Sequence, residues 1–335
     1  MATLLPGCFA NRLSAVWCQR LHRDLAVRPD TGENRRVTLQ PGDNTDMTKQ
    51  ASTPELRTRA IVRIVRGQAT RDGAGVELTR VIGQPDLDML DPFLLLDAFR
   101  SDRPEQYLAG FPPHPHRGFE TVTYLLAGRL RHKDNAGHEG VIEAGGIQWM
   151  TAGHGIVHSE MPEQENGLLE GFQLWVNLPA AHKMDTPAYR EHPANGIPEE
   201  QRSESVLRVL AGSTSQGTRG AITQPLTEPL YLDVRINAGG RFLESLPAAH
   251  NAFVYVIAGV VRVRGQDGPV ELARDELGVF GQGGQVQLEA VGDEARLLLI
   301  AGRPLNEPVA RGGPFVMNTR AEITQAYQDY EQGRM

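Results

Sequence analysis

Short segments in which hydrophobic and polar residues alternate run through most of the chain from Leu56 onward. RAIVRIVRG (59–67), FETVTYLLAG (119–128) and AFVYVIAGVVRVRG (252–265) are examples, each rich in β-branched or aromatic residues and ended by glycine. Such segments follow one another without intervening helices, which is typical of an antiparallel barrel or sandwich. The pattern therefore predicts an all-β protein.

The segment pattern repeats once along the chain. TYLLAG (123–128) and VYVIAG (254–259) share their tyrosine, alanine and glycine, and a polar stretch without periodicity lies between the two series. A repeat of this length predicts two domains of the same fold. We expect the following organisation: an N-terminal extension over residues 1–55, a first domain over 56–185, a linker over 186–203 and a second domain over 204–335.

One short helix is predicted after the second series of strands. Thr319 and Glu322 have the spacing of a capping box. The residues that follow, Ile323, Ala326 and Tyr327 with Tyr330, place apolar side chains on one helical face. We expect this helix to pack on the core.

Composition and charge exclude several classes of function. The 335 residues include 36 glycines and 22 prolines, which agrees with a fold rich in turns. The net charge is −7 and no basic patch is evident, so we expect no nucleic-acid binding. No run of 18 apolar residues is present, so no membrane-spanning helix is expected. Both cysteines, Cys8 and Cys18, precede the folded part, which indicates a cytoplasmic protein without disulfides or a thiolate metal site.

The first 55 residues differ from the rest. Their first 23 residues contain three arginines and no acidic residue, which is typical of a transit peptide. The polar, turn-rich stretch that follows has little to bury and is typical of a disordered extension. Met47 offers a third interpretation, a start site downstream of an overextended translation.

Two pairs of side chains are candidates for a metal site. His114 and His116 stand one residue apart at the entry to a strand, and His158 and Glu160 repeat this spacing further along the chain. Alternation along a strand places the members of each pair on one face. Three imidazoles and one carboxylate suit a divalent transition metal and leave two positions of an octahedral shell open. A closed structural zinc site is the alternative, but such sites usually recruit thiolates.

Four other residues are candidate ligands. His154 is flanked by glycines and is predicted to be a loop residue at the rim, and His132 and His138 are predicted to be solvated in a polar hairpin. Glu120 is the alternative carboxylate, because it lies on the face of the first pair if the strand is regular. Its other role would be to orient a ligand imidazole.

Three longer motifs resemble the pirin family of the cupin superfamily. They are FPPHPHRGFETVTYLLAGRL (111–130), GGIQWMTAGHGIVHSEMP (145–162) and GPFVMNTRAEI (313–323), and the resemblance extends over roughly residues 58–333. It implies two tandem cupin domains, which are antiparallel β-barrels, with a metal ion in the first.

The resemblance also implies a ligand set and a metal. Its ligands correspond to His114, His116, His158 and Glu160, so it favours Glu160 over Glu120. One divalent ion is expected, Fe(II) foremost, although Mn, Ni, Cu and Zn accept the same ligand types.

The second domain is expected to be free of metal. When the two repeats are aligned, Ser245 and Pro247 replace the first pair, and Gln287 and Glu289 replace the second. His250 is the one histidine in that half of the sequence, and one imidazole does not make a site.

The resemblance implies two classes of function. One is a quercetin 2,3-dioxygenase activity, in which a flavonol reacts with O2 and carbon monoxide is released. Glu160 would then accept the proton of the flavonol hydroxyl. The other is a metal- or redox-dependent regulatory protein that binds a transcription factor or a metabolic enzyme without turnover. Arg117 is expected either in a surface salt bridge or as an anion-binding group at the mouth of the site. For the protein as a whole, we expect a monomer.

Overall fold

The computed structural model describes residues 57–335, which form 24 β-strands and one α-helix. The expectations for the N-terminal extension (1–55), including its boundary, therefore fall outside the described residues. No helix in this described part of the chain has the length and apolar character needed to cross a membrane.

The strands are short and follow each other closely. The first twelve are β1 (Ile61–Arg66), β2 (Gln68–Asp72), β3 (Val76–Ile82), β4 (Phe93–Ser101), β5 (Phe111–His116), β6 (Phe119–Ala127), β7 (Arg129–Asp134), β8 (Glu139–Glu143), β9 (Ile147–Thr151), β10 (Ile156–Pro162), β11 (Leu169–Asn177) and β12 (Ala188–His192). The next twelve are β13 (Glu199–Gln201), β14 (Ser205–Ala211), β15 (Leu230–Ile236), β16 (Arg241–Ser245), β17 (Asn251–Ala258), β18 (Val260–Arg264), β19 (Pro269–Ala273), β20 (Glu276–Phe280), β21 (Gln285–Ala290), β22 (Ala295–Gly302), β23 (Ala310–Gly312) and β24 (Phe315–Met317). The helix α1 (Arg320–Glu331) follows them.

The strands form two halves with the same topology. The first half has a seven-stranded sheet in the order β12-β9-β6-β11-β4-β3-β2 and a four-stranded sheet in the order β5-β10-β7-β8. The second half repeats both orders as β1-β20-β17-β22-β15-β14-β13 and β16-β21-β18-β19. All pairings in these four sheets are antiparallel. The predicted all-β fold with two repeated halves and one short helix is therefore confirmed.

The chain crosses between the halves at strand β1. This strand lies in the range predicted for the first domain, but it pairs with β20 of the second half, with Val65 opposite Leu277. Within the predicted linker, β12 pairs with β9 and β13 pairs with β14. The limits at residues 185 and 203 stay a prediction, and the linker residues contribute strands to both seven-stranded sheets.

One apolar core joins the two seven-stranded sheets. Its members come from both halves; for example, the rings of Phe93 and Phe253 meet edge to face with centroids 5.3 Å apart. Buried polar groups also cross this boundary, because the Tyr124 hydroxyl donates to Asp233 Oδ2 (2.6 Å) and Arg296 donates to both oxygens of Asp233. A second core fills the interior of the second half.

Residues 310–335, here called the closing segment, contain β23, β24 and α1 and return to the first half. Phe315 forms a bridge with Arg117, directly after β5. The predicted capping box is present, since Thr319 Oγ1 accepts from Glu322 N while Glu322 Oε2 accepts from Thr319 N. Ile323 is buried against Phe315, whereas Tyr330, predicted on the apolar face, is exposed.

Candidate metal centre

The two predicted pairs are brought together because β5 and β10 are neighbours. The register places His158 opposite His114, and the pairing is irregular between His158 and Glu160. The three imidazoles are buried, and their ligand nitrogens all lie within 4.8 Å of one another. Among the described residues, no carboxylate belongs to this cluster.

The hydrogen bonds of two imidazoles fix their tautomers. His114 Nδ1 lies 2.9 Å from Pro112 O, and His116 Nδ1 lies 3.4 Å from Pro314 O. A carbonyl oxygen can only accept, so each Nδ1 carries the hydrogen and each Nε2 carries a lone pair. The two Nε2 atoms nevertheless face each other at 3.0 Å. Two acceptors at this distance repel unless a cation is shared between them.

His158 supports the same conclusion. Both of its ring nitrogens are buried without a hydrogen-bond partner among the described residues. A buried polar atom without a partner costs about 1–3 kcal/mol, so a native structure usually satisfies it with an ordered water or an ion. The residues present therefore fit a metal ion coordinated by imidazole.

Burial also sets the protonation of the cluster. It lowers the pKa of His114, His116 and His158, and the neighbouring imidazoles lower the pKa of His116 and His158 further. The three rings are consequently neutral at neutral pH. Neutral imidazole is the form that binds metals.

Glu160 lies beside the cluster on the inward face of β10. Its carboxylate accepts from Thr123 Oγ1 (3.0 Å) and from Gln173 Nε2 (3.4 Å). Burial raises the pKa of Glu160, partly offset by the bond from Thr123. The structure thus brings three of the four predicted ligands together, and the role of Glu160 as the fourth stays a prediction.

Glu120 does not face the imidazoles. Strand β5 ends at His116 and β6 begins in the other sheet, with Arg117 and Gly118 forming the turn between them. Phe119 lies against His116, so the odd-numbered residues of β6 face the centre.

The Glu120 carboxylate accepts instead from Thr151 Oγ1 (2.7 Å) and from Gln224 Nε2 (2.7 Å) of the second half. The expectation that Glu120 shares the face of the first pair is wrong, because the strand is not regular.

Of the three other histidines considered as ligands, two lie where the sequence predicts and one does not. His154 is exposed in a turn and His138 is largely exposed, as predicted. His132, predicted to be solvated, is buried: Nε2 lies 2.8 Å from Glu191 Oε2 and the ring stacks on Tyr189. The physical reason is the alternation along β7, which turns every second side chain inward.

Several residues around the centre were not predicted from the sequence. On β11, Trp175 and Gln173 point toward the site: the Trp175 ring lies 5.3 Å from that of His116 and 4.4 Å from that of Phe119. Both β11 side chains are partly exposed. They therefore form the accessible side of the site, with one aromatic face and one amide.

Arg117 is neither in a surface salt bridge nor free to bind an anion. It is buried, its Nη1 lies 2.7 Å from Asp329 Oδ2, and its Nε donates to His154 O (2.5 Å). The predicted salt bridge is therefore present but buried, because the closing segment covers it, and the anion-binding interpretation is wrong.

In the second half, a buried arginine contacts Pro247, the residue that aligns with His116. Arg59 is buried, and its guanidinium donates to Pro247 O and His250 O, each at 2.7 Å, and to Gly283 O. Burial lowers the pKa of Arg59 to about 10. The absence of metal from this half stays a prediction.

Comparisons with known proteins identify close relatives. The family model described as Pirin matches residues 75–176, and the one described as Pirin C-terminal cupin domain matches residues 231–335. A pirin-like protein from Caulobacter vibrioides is 54% identical over 82% of this chain and 99% of its own length.

Solved structures show the same fold. A crystal structure of quercetin 2,3-dioxygenase from Acinetobacter baumannii is 33% identical with a TM-score of 0.75, covering 83% of this chain and 98% of its own. A bacterial pirin from Escherichia coli in complex with nickel(II) is 19% identical with a TM-score of 0.54, covering 72% of this chain and 99% of its own.

Proposed function

The chain belongs to the pirin family, and from this premise we propose that it is a metal-dependent oxygenase of the quercetin 2,3-dioxygenase type. The proposal rests on one observation above all, the two Nε2 lone pairs of His114 and His116 that face each other within a buried cluster of neutral imidazoles. The name of the Acinetobacter baumannii relative supports the reaction type.

We infer that the ion is Fe(II), held by His114, His116, His158 and Glu160. Mn, Ni, Cu and Zn bind the same ligand types, so metal analysis has to decide. When bound, the ion would supply a Lewis acid for a deprotonated flavonol and an open position for O2.

The side chains around the site would prepare the substrate. Glu160, whose pKa is raised by burial, would accept the proton of the flavonol 3-hydroxyl. Thr123 and Gln173 hold the two carboxylate oxygens in place for this transfer. The partly exposed ring of Trp175 offers a stacking surface for the aromatic rings of a flavonol.

The direct test is turnover by protein of known metal content. Protein loaded anaerobically with Fe(II) is mixed with quercetin under air, and flavonol absorbance and carbon monoxide are followed. We expect absorbance loss with release of carbon monoxide. His158→Ala should lose both metal and activity, whereas His154→Ala, at an exposed position, should keep both. Bound iron without turnover would contradict the dioxygenase proposal and favour the regulatory alternative.

We also propose the cellular location, oligomeric state and small-molecule partners of the protein. A cytoplasmic location is inferred from the cysteine distribution. We propose a monomer, with a flavonol-like substrate and O2 as partners.

A further inference from the structure

The closing segment contacts a metal-ligand histidine directly. Pro314 O accepts from His116 Nδ1 at 3.4 Å, and the two residues are 198 positions apart. This carbonyl is the group that fixes the His116 tautomer and directs its Nε2 toward His114.

The same segment holds the turn that follows His116. Val316 N donates to Arg117 O (3.0 Å), and Lys183 Nζ joins Gly118 O (2.8 Å) to Val316 O (3.1 Å). Gly118 has φ +85°, and a Cβ there would collide with Val316 O. The observed approach of the turn to the closing segment therefore requires glycine at position 118.

An ion pair adds a second attachment. Arg117 Nη1 lies 2.7 Å from Asp329 Oδ2 on α1, with both side chains largely buried. Gln325 Nε2 (2.9 Å) and Arg334 Nε (3.2 Å) also donate to Asp329, and these three partners hold its pKa well below the usual range. Asp329 is thus a fixed anion that positions the guanidinium next to the metal ligand.

We propose that the closing segment is part of the metal centre, and that Asp329 is a positioning residue that acts through Arg117 on His116. When the segment is docked, His116 is held against His114 and His158. When the ion pair is broken, the turn at Arg117 and Gly118 relaxes and one ligand is lost from the cluster. This inference rests on the metal site and does not require the oxygenase activity.

The experiment measures metal retention and ligand geometry. Co(II) is loaded into the full-length protein, its absorption spectrum is recorded, and its release to a chelator is timed. Asp329→Asn is expected to release Co(II) at least about tenfold faster than the wild type, with a changed ligand-field spectrum. Asp329→Glu, which keeps the carboxylate, should lie closer to the wild type.

A matched control separates positioning from stability. Asp233→Asn breaks another Arg–Asp pair, also 2.7 Å long, whose two residues belong to the second half and are not in contact with the three imidazoles. It should lower the melting temperature of the apo protein while leaving Co(II) release and spectrum unchanged. The proposal is overturned if Asp329→Asn retains Co(II) with a wild-type spectrum, or if Asp233→Asn accelerates release equally.

A second variant covers poor folding of Asp329→Asn. Arg117→Met combined with Asp329→Leu removes both charges of the buried pair, and the one cation that loses its partner, Arg334, is half exposed to solvent. Wild-type release from this double variant would also overturn the proposal. Failure of quercetin turnover would leave all these outcomes intact, because none of them depends on substrate.

Discussion

Two buried glutamates in the first half show how local partners decide the chemistry of a side chain. Burial raises the pKa of both Glu160 and Glu120. Glu120 is surrounded by donors from Thr151 and Gln224, which satisfy its charge within the protein. Glu160 has two weaker contacts and lies beside neutral imidazoles, so a metal cation is the partner that would favour its ionised form.

This difference predicts the effect of a matched pair of substitutions. Glu160→Gln should lower metal affinity by at least about tenfold, because it removes the negative charge beside the ion. Glu120→Gln should leave metal content unchanged, since its carboxylate faces the second half. Metal content after dialysis, measured by elemental analysis, checks both. An empty site in Glu120→Gln with a full one in Glu160→Gln would show that the carboxylate assignment is wrong.

Lys183 provides a prediction on pH. Burial lowers its pKa from 10.5 to about 8. Between pH 8 and pH 10.5 the lysine is protonated in the unfolded chain and deprotonated in the folded chain. The free energy of unfolding therefore increases as the pH rises through that window, and this gain is lost as the pH falls to about 8.

Relative to Lys183→Met, the unfolding free energy of the wild type should therefore increase by up to about 1.4 kcal/mol per pH unit across that window. Urea titrations of both proteins at several pH values measure this difference. A flat difference for Lys183→Met would mean that its pKa is normal.

At the level of strands and turns, the alternation of side chains along a strand predicts the position of part of the site correctly and of the rest wrongly. It correctly placed His114 and His116 on one face, because β5 pairs regularly with β10 from His114 to His116. It failed for Glu120, because the two-residue turn at Arg117 moves the chain into another sheet and changes which residues face inward. The alternation of hydrophobic and polar residues does not show where the chain passes from one sheet to another.

His132 was missed for a different reason. Its neighbours Arg131 and Lys133 are charged, so the segment reads as a solvated hairpin, although its alternation matches a strand with one buried face. The orientation of Trp175 and Gln173 was also not predictable. Their two-residue spacing on β11 is visible in the sequence, but the direction in which they point depends on the pairing of β11 with β6. Pairing partners are set by tertiary contacts, which the sequence pattern alone does not encode.

The whole molecule behaves as a unit because its two halves share one core. The duplication could be predicted from the repeated TYLLAG and VYVIAG segments, but the crossing of β1 into the second half could not. The buried contacts among Tyr124, Asp233 and Arg296 add a polar connection across the same boundary.

The apo protein should therefore unfold in one transition, without separate melting of the halves. Calorimetric and van't Hoff enthalpies should agree, which is the test for two-state behaviour. Asp233→Asn leaves Arg296 without its ionic partner and should lower the unfolding free energy by about 3 kcal/mol. Two resolved transitions in the wild type would contradict the shared core.

The exchange of β1 also fixes an order of events during biosynthesis. Domains generally fold from the N-terminal side as the chain emerges. β1 is synthesised first but has to wait for β20, and the histidines of the first half emerge long before Pro314 and Asp329. If the closing segment holds His116 in place as proposed, stable metal loading would follow synthesis of residues 310–335 and could not be completed on the nascent first half.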